Sequence, residues 1–272
     1  ALPRAKDIAK LAKQAAIPIL QCENPRRVMA KMAAIHWSSQ PGMVAAVTGT
    51  NGKTSTTEFL RQLWQRATWQ AIAVGTLGIT GTDMIKSEGA LLSLPPLTTP
   101  DSISLHATLA PLTKAGVTHL ALEASSHGLE QHRLDGLNIH IAAFTNLSRD
   151  HLDHHRDMDR YFAAKHRLFT DLLSEGGAAI INLDDQYSAA IIDSLQDRAI
   201  VIKTFGYAED ADFRILSITP SGDGLDMKVT YQGQTWDIPL ALSGTFQAIN
   251  ALTAAVMAHL GGLPLHDALG AL

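Results

Sequence analysis

Cysteine is nearly absent from this sequence. Cys22 is the single cysteine among 272 residues, so an intrachain disulfide is excluded. A lone thiol suits a reducing compartment, and it suits a disulfide-free secreted protein equally. No apolar run approaches the ~18 residues that suggest a membrane span, and the start carries no signal-peptide pattern. A basic excess is also lacking. Lys and Arg number 22 against 26 Asp and Glu, a formal net charge of -4, which gives no electrostatic case for nucleic acid or anionic lipid. There is no internal repeat and no low-complexity segment. The chain opens on Ala1 without a methionine and stops at Leu272 inside what reads as a helix, so a fragment of a longer protein is expected.

What is present is ordinary globular material: 46% hydrophobic and 18% charged residues, enough for a buried core. The length suits one large domain or two modest ones. Residues 1–16 read as a helix and residues 17–20 as a short strand. A second helix starts at Asn24-Pro25 and runs to about His36. Residues 38–42, Ser-Ser-Gln-Pro-Gly, read as a linker. From Met43 onward apolar strand-like runs (43–47, 71–74, 117–122, 139–144, 178–182, 200–204) alternate with helical patterns (55–66, 101–115, 158–173). That alternation predicts a mostly parallel sheet with helices on both faces. Near the end, runs at 225–231 and 234–240 flank Gln232-Gly233, a hairpin signal, so a small antiparallel β extension is expected before a long helix over 246–260.

The strongest local signal is Thr48-Gly49-Thr50-Asn51-Gly52-Lys53-Thr54, at a strand-to-helix junction. Glycines there let backbone N–H groups approach phosphate oxygens, and the helix N-terminus adds partial positive charge. Lys53 then reaches the β- and γ-phosphates, and the Thr54 hydroxyl helps to hold Mg²⁺. The usual spacing wants a glycine where Val47 stands, so this loop is shorter than the common form; the bland alternative is a Gly-rich turn. The expected fold is thus α/β and P-loop NTPase-like.

Glu123 closes one predicted strand and His151 follows another, which puts both on the sheet edge that carries the phosphate loop. A carboxylate and an imidazole there suit a metal bridging nucleotide and substrate, although Mg²⁺ prefers oxygen. Equally, Glu123 can cap a turn and His151 can sit on the surface. The run His151-Leu152-Asp153-His154-His155 could instead be a zinc cluster, but adjacent histidines rarely converge on one ion and no thiol is near. Lys165 shares a helical face with Tyr161, Phe162, Leu168, Phe169 and Leu172, so it points inward. Burial favours the neutral amine, which can react with carbon dioxide to give a metal-binding carbamate. The alternative is a lysine that snorkels to the helix edge.

Together these segments resemble the Mur ligase family, and within it the MurE type, which adds the third residue of the peptidoglycan stem peptide. The short Gly49–Thr54 loop is the form that family uses. Glu123-Ala124-Ser125-Ser126-His127-Gly128-Leu129, Asn146-Leu147-Ser148-Arg149-Asp150-His151-Leu152-Asp153 and Leu97-Thr98-Thr99-Pro100-Asp101 resemble its other signature segments, and Ala163-Ala164-Lys165 falls where it carries a carbamylated lysine. The resemblance spans roughly residues 24–272. It implies an ATP-dependent amide ligase acting through an acyl phosphate on UDP-N-acetylmuramoyl-L-alanyl-D-glutamate, with L-lysine or meso-diaminopimelate as the incoming amino acid, as a cytoplasmic monomer. It implies that Gly49, Thr50, Asn51, Gly52, Lys53, Thr54 and Ser55 hold the ATP phosphates and Asn250 faces the adenine. Thr54 and Glu123 would serve one Mg²⁺, and His151 with carbamylated Lys165 a second. Lys53, Glu123, His151 and Lys165 would form the catalytic set. Thr98, Thr99, Ser125, Gln131 and Arg133 would bind the muramoyl dipeptide.

Two departures weaken particular contacts: Gln247 stands where the family often has Asn, and Leu97 where many members carry Asn. The resemblance also implies that residues 1–41 are the tail of a uridine-nucleotide-binding N-terminal domain and residues 42–272 the central ATP-binding domain, with the C-terminal domain absent. A folylpolyglutamate synthase-like ligase and a non-catalytic ATP-binding regulatory module remain the alternatives. The first is opposed by the 97–101 and 123–129 segments; the second is opposed by five intact groups that mere binding does not need.

Overall fold

The computed structural model describes residues 10, 12–14, 16, 18–19, 21–84, 94–149, 155 and 157–272. The expected helix over 1–16 and strand over 17–20 fall largely outside these residues, as do His151 and most of the 151–155 run. Helix α1 (Pro25–His36) begins where the sequence puts it. Asn24 caps it by accepting from Arg27 N at 3.0 Å, and Pro25 takes the first turn, where an N–H has no helical partner.

The central series is β1 (Met43–Thr48), α2 (Lys53–Arg66), β2 (Ala71–Gly75), β3 (Gly78–Thr80), α3 (Ser102–Lys114) and β4 (His119–Glu123). It continues through α4 (Ser126–Glu130), β5 (Ile139–Phe144), α5 (Met158–Arg167), β6 (Leu173–Asn182), α6 (Ser188–Asp193) and β7 (Val201–Gly206). Then come β8 (Phe213–Ser221), β9 (Gly224–Tyr231), β10 (Gln234–Leu240), α7 (Thr245–Leu260) and α8 (Leu265–Gly270). All ten strands form one sheet, in the order β10-β9-β8-β7-β6-β5-β1-β4-β2-β3. Along that order the neighbours from β8 to β2 pair in parallel; β3 at one edge, and β9 and β10 at the other, pair antiparallel.

Successive residues of a strand point to opposite faces, and here the two faces differ in size. Val44, Ile72, Val74, Leu120 and Leu122 face the layer of α3 and α5. Ala45, Ala71, Ala73, Ala121 and Ala143 face the layer of α2 and α7. Helix α7 answers with its own alanines, Ala248, Ala251, Ala254, Ala255 and Ala258, all buried. Small residues on both sides let α7 approach the sheet beside α2, whose Leu60, Leu63 and Trp64 fill the remaining space.

Three differences from the sequence reading have local causes. The helix expected over 158–173 ends at Arg167 and continues as a π turn, Leu168–Leu172, before β6 starts at Leu173. Strand β8 was not expected, because a bulge between Ile215 and Ser217 breaks its two-residue period and leaves Leu216 45% exposed. The helix over Lys53–Arg66 starts two residues before the expected Ser55, since the phosphate-loop lysine is already its first residue. The Gln232-Gly233 hairpin forms as expected, with φ of 51° and 79° at the turn. No described helix is long and apolar enough to cross a membrane.

His119, at the start of β4, stacks on Trp69 with ring centroids 4.6 Å apart and lies 4.9 Å from Trp64. Burial among these rings lowers its pKa to about 4. Its folded pKa is below its unfolded value, so the unfolded chain binds the extra proton between those pH values. Stability is therefore full above the unfolded value near 6.5 and is lost as pH falls towards 4. His119→Gln should flatten the fall in Tm between pH 7 and pH 5, by roughly 1 kcal/mol after allowance for partial exposure. His106, His140 and His166, also lowered by burial, leave some slope in the variant. Parallel pH profiles for wild type and variant would contradict this.

Candidate active site

Strand β1 lies between β4 and β5, so the turns that follow β1, β2, β4 and β5 open at one edge of the sheet, where ligands gather in open α/β folds. The phosphate loop leaves β1 at Thr48. Gly52 sits at its turn with φ of 89°, and a β-carbon there would stand 2.3 Å from Asn250 Oδ1, so only glycine suits both the backbone and its neighbour. Lys53 folds back over the loop and donates to Gly49 O at 2.9 Å and Thr50 O at 2.8 Å. The loop is braced by the turn after β5. Thr50 N donates to Asn146 O at 2.8 Å, Asn51 N donates to Asn146 Oδ1 at 3.1 Å, and Asn146 Nδ2 donates to Asn51 O at 3.1 Å. The Thr50 and Asn51 amides are thus engaged with Asn146, and the start of α2, with Gly52, Lys53, Thr54 and Ser55, lines the open cleft.

Glu123 ends β4 with 1% of its surface exposed. Its Oε1 accepts from Thr54 Oγ1 at 2.9 Å and from Thr76 N at 2.8 Å, and its Oε2 accepts from Thr76 Oγ1 at 3.2 Å. Gly75 makes room for it, since a β-carbon there would lie 2.1 Å from Oε1. Thr76 went unnoticed in the sequence; its place one residue beyond an apolar strand, beside the carboxylate strand, was the available signal. A carboxylate beside two hydroxyls is a hard-oxygen corner, which fits Mg²⁺. His151 lies outside the described residues. Among the described residues no group of three or more His, Cys, Asp and Glu could hold a metal, and most of the run weighed for zinc is not among them.

On the far side of Glu123, Thr99 Oγ1 donates to Glu123 O at 2.7 Å and accepts from Ser125 N at 2.9 Å, and its hydroxyl meets Ser125 Oγ at 2.9 Å. Ser125 caps α4 by accepting from Gly128 N. The hydroxyls of Thr98 and Thr76 meet at 3.1 Å, with the Thr76 proton engaged by Glu123. Arg133 Nη1 donates to Thr99 O at 2.5 Å, while its Nε and Nη2 donate to Gln131 Oε1 at 3.2 and 2.8 Å. Gln131 therefore orients Arg133 and does not itself line the cleft. Burial in the wall lowers the Arg133 pKa; the nearby Asp101 carboxylate opposes the shift and Arg26 adds to it.

Lys165 is 2% exposed and donates from Nζ to Gly49 O at 2.7 Å, with the Tyr161 ring 4.4 Å away. The inward face read from the sequence is real, and snorkelling is excluded for this side chain. Tyr161 also meets Thr50 Oγ1 at 3.2 Å, and buried His155 meets Ser126 Oγ at 2.8 Å; the sequence had raised Tyr161 only as a neighbour of Lys165 and His155 only within the run weighed for zinc. Asn250 is apart from the others. It is 6% exposed, abuts Gly52 from behind the loop, donates to Gln247 Oε1 at 3.2 Å, and does not line the cleft. The cleft measures about 590 Å³. The phosphate loop and Lys165 form one side, Thr98, Thr99, Ser125 and Arg133 the other, with Glu123 between them.

Residues 47–258 match the Mur ligase middle domain. The chain is 42% identical over 245 residues to the UDP-N-acetylmuramoyl-L-alanyl-D-glutamate–2,6-diaminopimelate ligase of Bradyrhizobium diazoefficiens, covering 89% of this chain and 49% of the relative. Against the ligase of the same description from Brucella melitensis it is 42% identical over 259 residues, covering 95% and 51%. A solved structure of a ligase so described superimposes with a TM-score of 0.79 at 33% identity, covering 92% of this chain and 50% of that one. The chain thus spans about half the length of the curated relatives it matches.

Gly75→Ala should leave the chain folded but displace the Glu123 carboxylate. Calorimetry is expected to register Mg²⁺-nucleotide binding weakened by about tenfold or more, roughly 1.4 kcal/mol. Unchanged affinity would mean that Glu123 is not part of the nucleotide corner.

Proposed function

The chain belongs to the Mur ligase family, and from that premise we propose that the protein carrying it is an ATP-dependent ligase joining an amino acid to UDP-N-acetylmuramoyl-L-alanyl-D-glutamate in peptidoglycan precursor synthesis. The observation that carries the reading is the single cleft in which a phosphate loop and an arginine-bearing polar wall face each other across Glu123. Diaminopimelate, named for the relatives, is favoured over L-lysine as the incoming residue. A monomer working in the cytoplasm, where ATP is supplied, completes the reading.

In this reading Gly49 to Ser55 bind the ATP phosphates, and Lys53 leaves its loop carbonyls for the β- and γ-phosphates. Arg133, oriented by Gln131, holds a substrate carboxylate beside Thr98, Thr99 and Ser125. That carboxylate attacks the γ-phosphorus and ADP departs, leaving an acyl phosphate. The amine of the incoming residue then attacks the acyl carbon, phosphate leaves, and the amide forms with loss of a proton. Lys53 offsets the charge that develops on the transferring phosphoryl. Thr54 and Glu123 would hold one Mg²⁺, and His151 with a carbamate on Lys165 a second; bound Mg²⁺ supplies charge neutralisation at the transferring phosphoryl. The burial of Lys165 supports the carbamate. The amine adds to carbon dioxide with loss of a proton, and the remaining N–H can still donate to Gly49 O. Asn250, packed behind Gly52, acts on the nucleotide through the shape of the loop as well as at the adenine.

Two measurements on the full-length polypeptide test this. Phosphate release from ATP should require both the muramoyl dipeptide and one amino acid, diaminopimelate; release independent of the dipeptide would refute the assignment. Lys165→Ala should keep its circular dichroism spectrum and lose about 100-fold or more in acyl phosphate formation, as expected when charge stabilisation at a phosphoryl is removed. Full activity in that variant would end the carbamate proposal.

A further inference from the structure

Outside the cleft, one buried acid gathers hydrogen-bond and ion-pair partners from three parts of the chain. The Asp135 side chain is 2% exposed. Arg167 Nη2 donates to its two oxygens at 3.1 and 3.2 Å, His132 Nδ1 lies 2.9 Å from Oδ1, and Arg27 Nε lies 3.4 Å from the same atom. Arg167 is on α5, two residues beyond Lys165, and its Nη1 also donates to Leu129 O. Arg27 is on α1.

His132 is the unusual member. It holds a left-handed backbone, φ of 56°, between Gln131 and Arg133, the pair that shapes the polar wall. A non-glycine residue in that region needs compensation from its surroundings. Both ring nitrogens supply it. Nδ1 donates to Asp135, and Nε2 accepts from Asn24 Nδ2 at 2.7 Å. The tautomer follows from Asn24, whose Oδ1 is committed to the α1 cap and so leaves only its amide to face the ring. The reversal at His132 thus hangs from α1 on one side and from Asp135 on the other, and it aims Arg133 at Thr99 O.

We propose that His132 and Asp135 are positioning residues for the muramoyl-dipeptide wall: they hold the strained turn that presents Arg133. The inference rests on the reading of Arg133 as a dipeptide contact. Neither residue lines the cleft, so each acts through Arg133.

The test uses steady-state kinetics of the full-length polypeptide. His132→Gly adopts the same backbone without strain and removes both tethers. It should raise KM for UDP-N-acetylmuramoyl-L-alanyl-D-glutamate about tenfold, the size of a lost charge-assisted contact, with KM for ATP and kcat within about twofold. His132→Asn, which tolerates the left-handed region and keeps a donor towards Asp135, should recover most of that loss. Placed on Arg133→Ala, His132→Gly should add less than about twofold, since its target is already gone. A folded His132→Gly with unchanged dipeptide KM overturns the proposal. So does one whose ATP KM rises in step, or an Asn variant no better than the Gly variant. If Arg133→Ala by itself leaves the dipeptide KM unchanged, the reading of that wall fails first, and the positioning role with it.

Discussion

The cleft is built on the Glu123 carboxylate. It is almost wholly buried, yet three donors reach it: the hydroxyl of Thr54 from the phosphate-loop helix, and the amide and hydroxyl of Thr76 from the turn after β2. Its own carbonyl holds Thr99. One residue at the end of β4 thus fixes the separation between the loop that would grip a nucleotide and the segment that would grip its co-substrate. A buried acceptor that loses its donors, or donors that lose their acceptor, cost far more than the bonds contribute when made. The arrangement therefore resists partial rearrangement, and that rigidity would suit the proposed alignment of a phosphoryl group with its acceptor.

The sheet's asymmetry sets this corner in place. On the α2 and α7 face the strands carry alanine, so both helices ride close to the backbone. That proximity brings Asn250 against Gly52 and explains why the loop tolerates no side chain at its turn. Bulk moves to the opposite face, where leucine, isoleucine and valine support α3 and α5. Helix α5 in turn delivers Lys165 to the back of the loop at Gly49 O and Arg167 to Asp135. The phosphate loop is consequently contacted from α7, from α5 and from the turn after β5, and its conformation is a property of the whole domain.

Helix α1 gains a role that its place ahead of the sheet did not suggest. Through Asn24 and Arg27 it reaches the same turn that Arg167 reaches from α5. The resemblance sets a domain boundary at residue 41, and across it Asn24 and Arg27 tie the start of α1 to the cleft's polar wall.

Much of the fold was legible in the residues. The phosphate loop, the start of α1 at Asn24-Pro25 and the Gln232-Gly233 hairpin are local signals, decided by backbone chemistry within a few positions. The burial of Lys165 followed from helical periodicity, which tertiary packing then honoured. Strand β8 was hidden because a bulge interrupts its alternation, and the π turn after Arg167 because side-chain pattern does not distinguish it from continuing helix. The pairwise partners were also beyond reach. Nothing near Glu123 in sequence announces Thr76, and nothing near Asp135 announces Asn24 or Arg27. By itself the sequence determined most of the strands, helices and turns and the candidate groups that sit on them, because those properties are local. Only the tertiary structure decided which of them meet, because contact between strand ends depends on strand order, and on helices drawn close by small side chains tens of residues away.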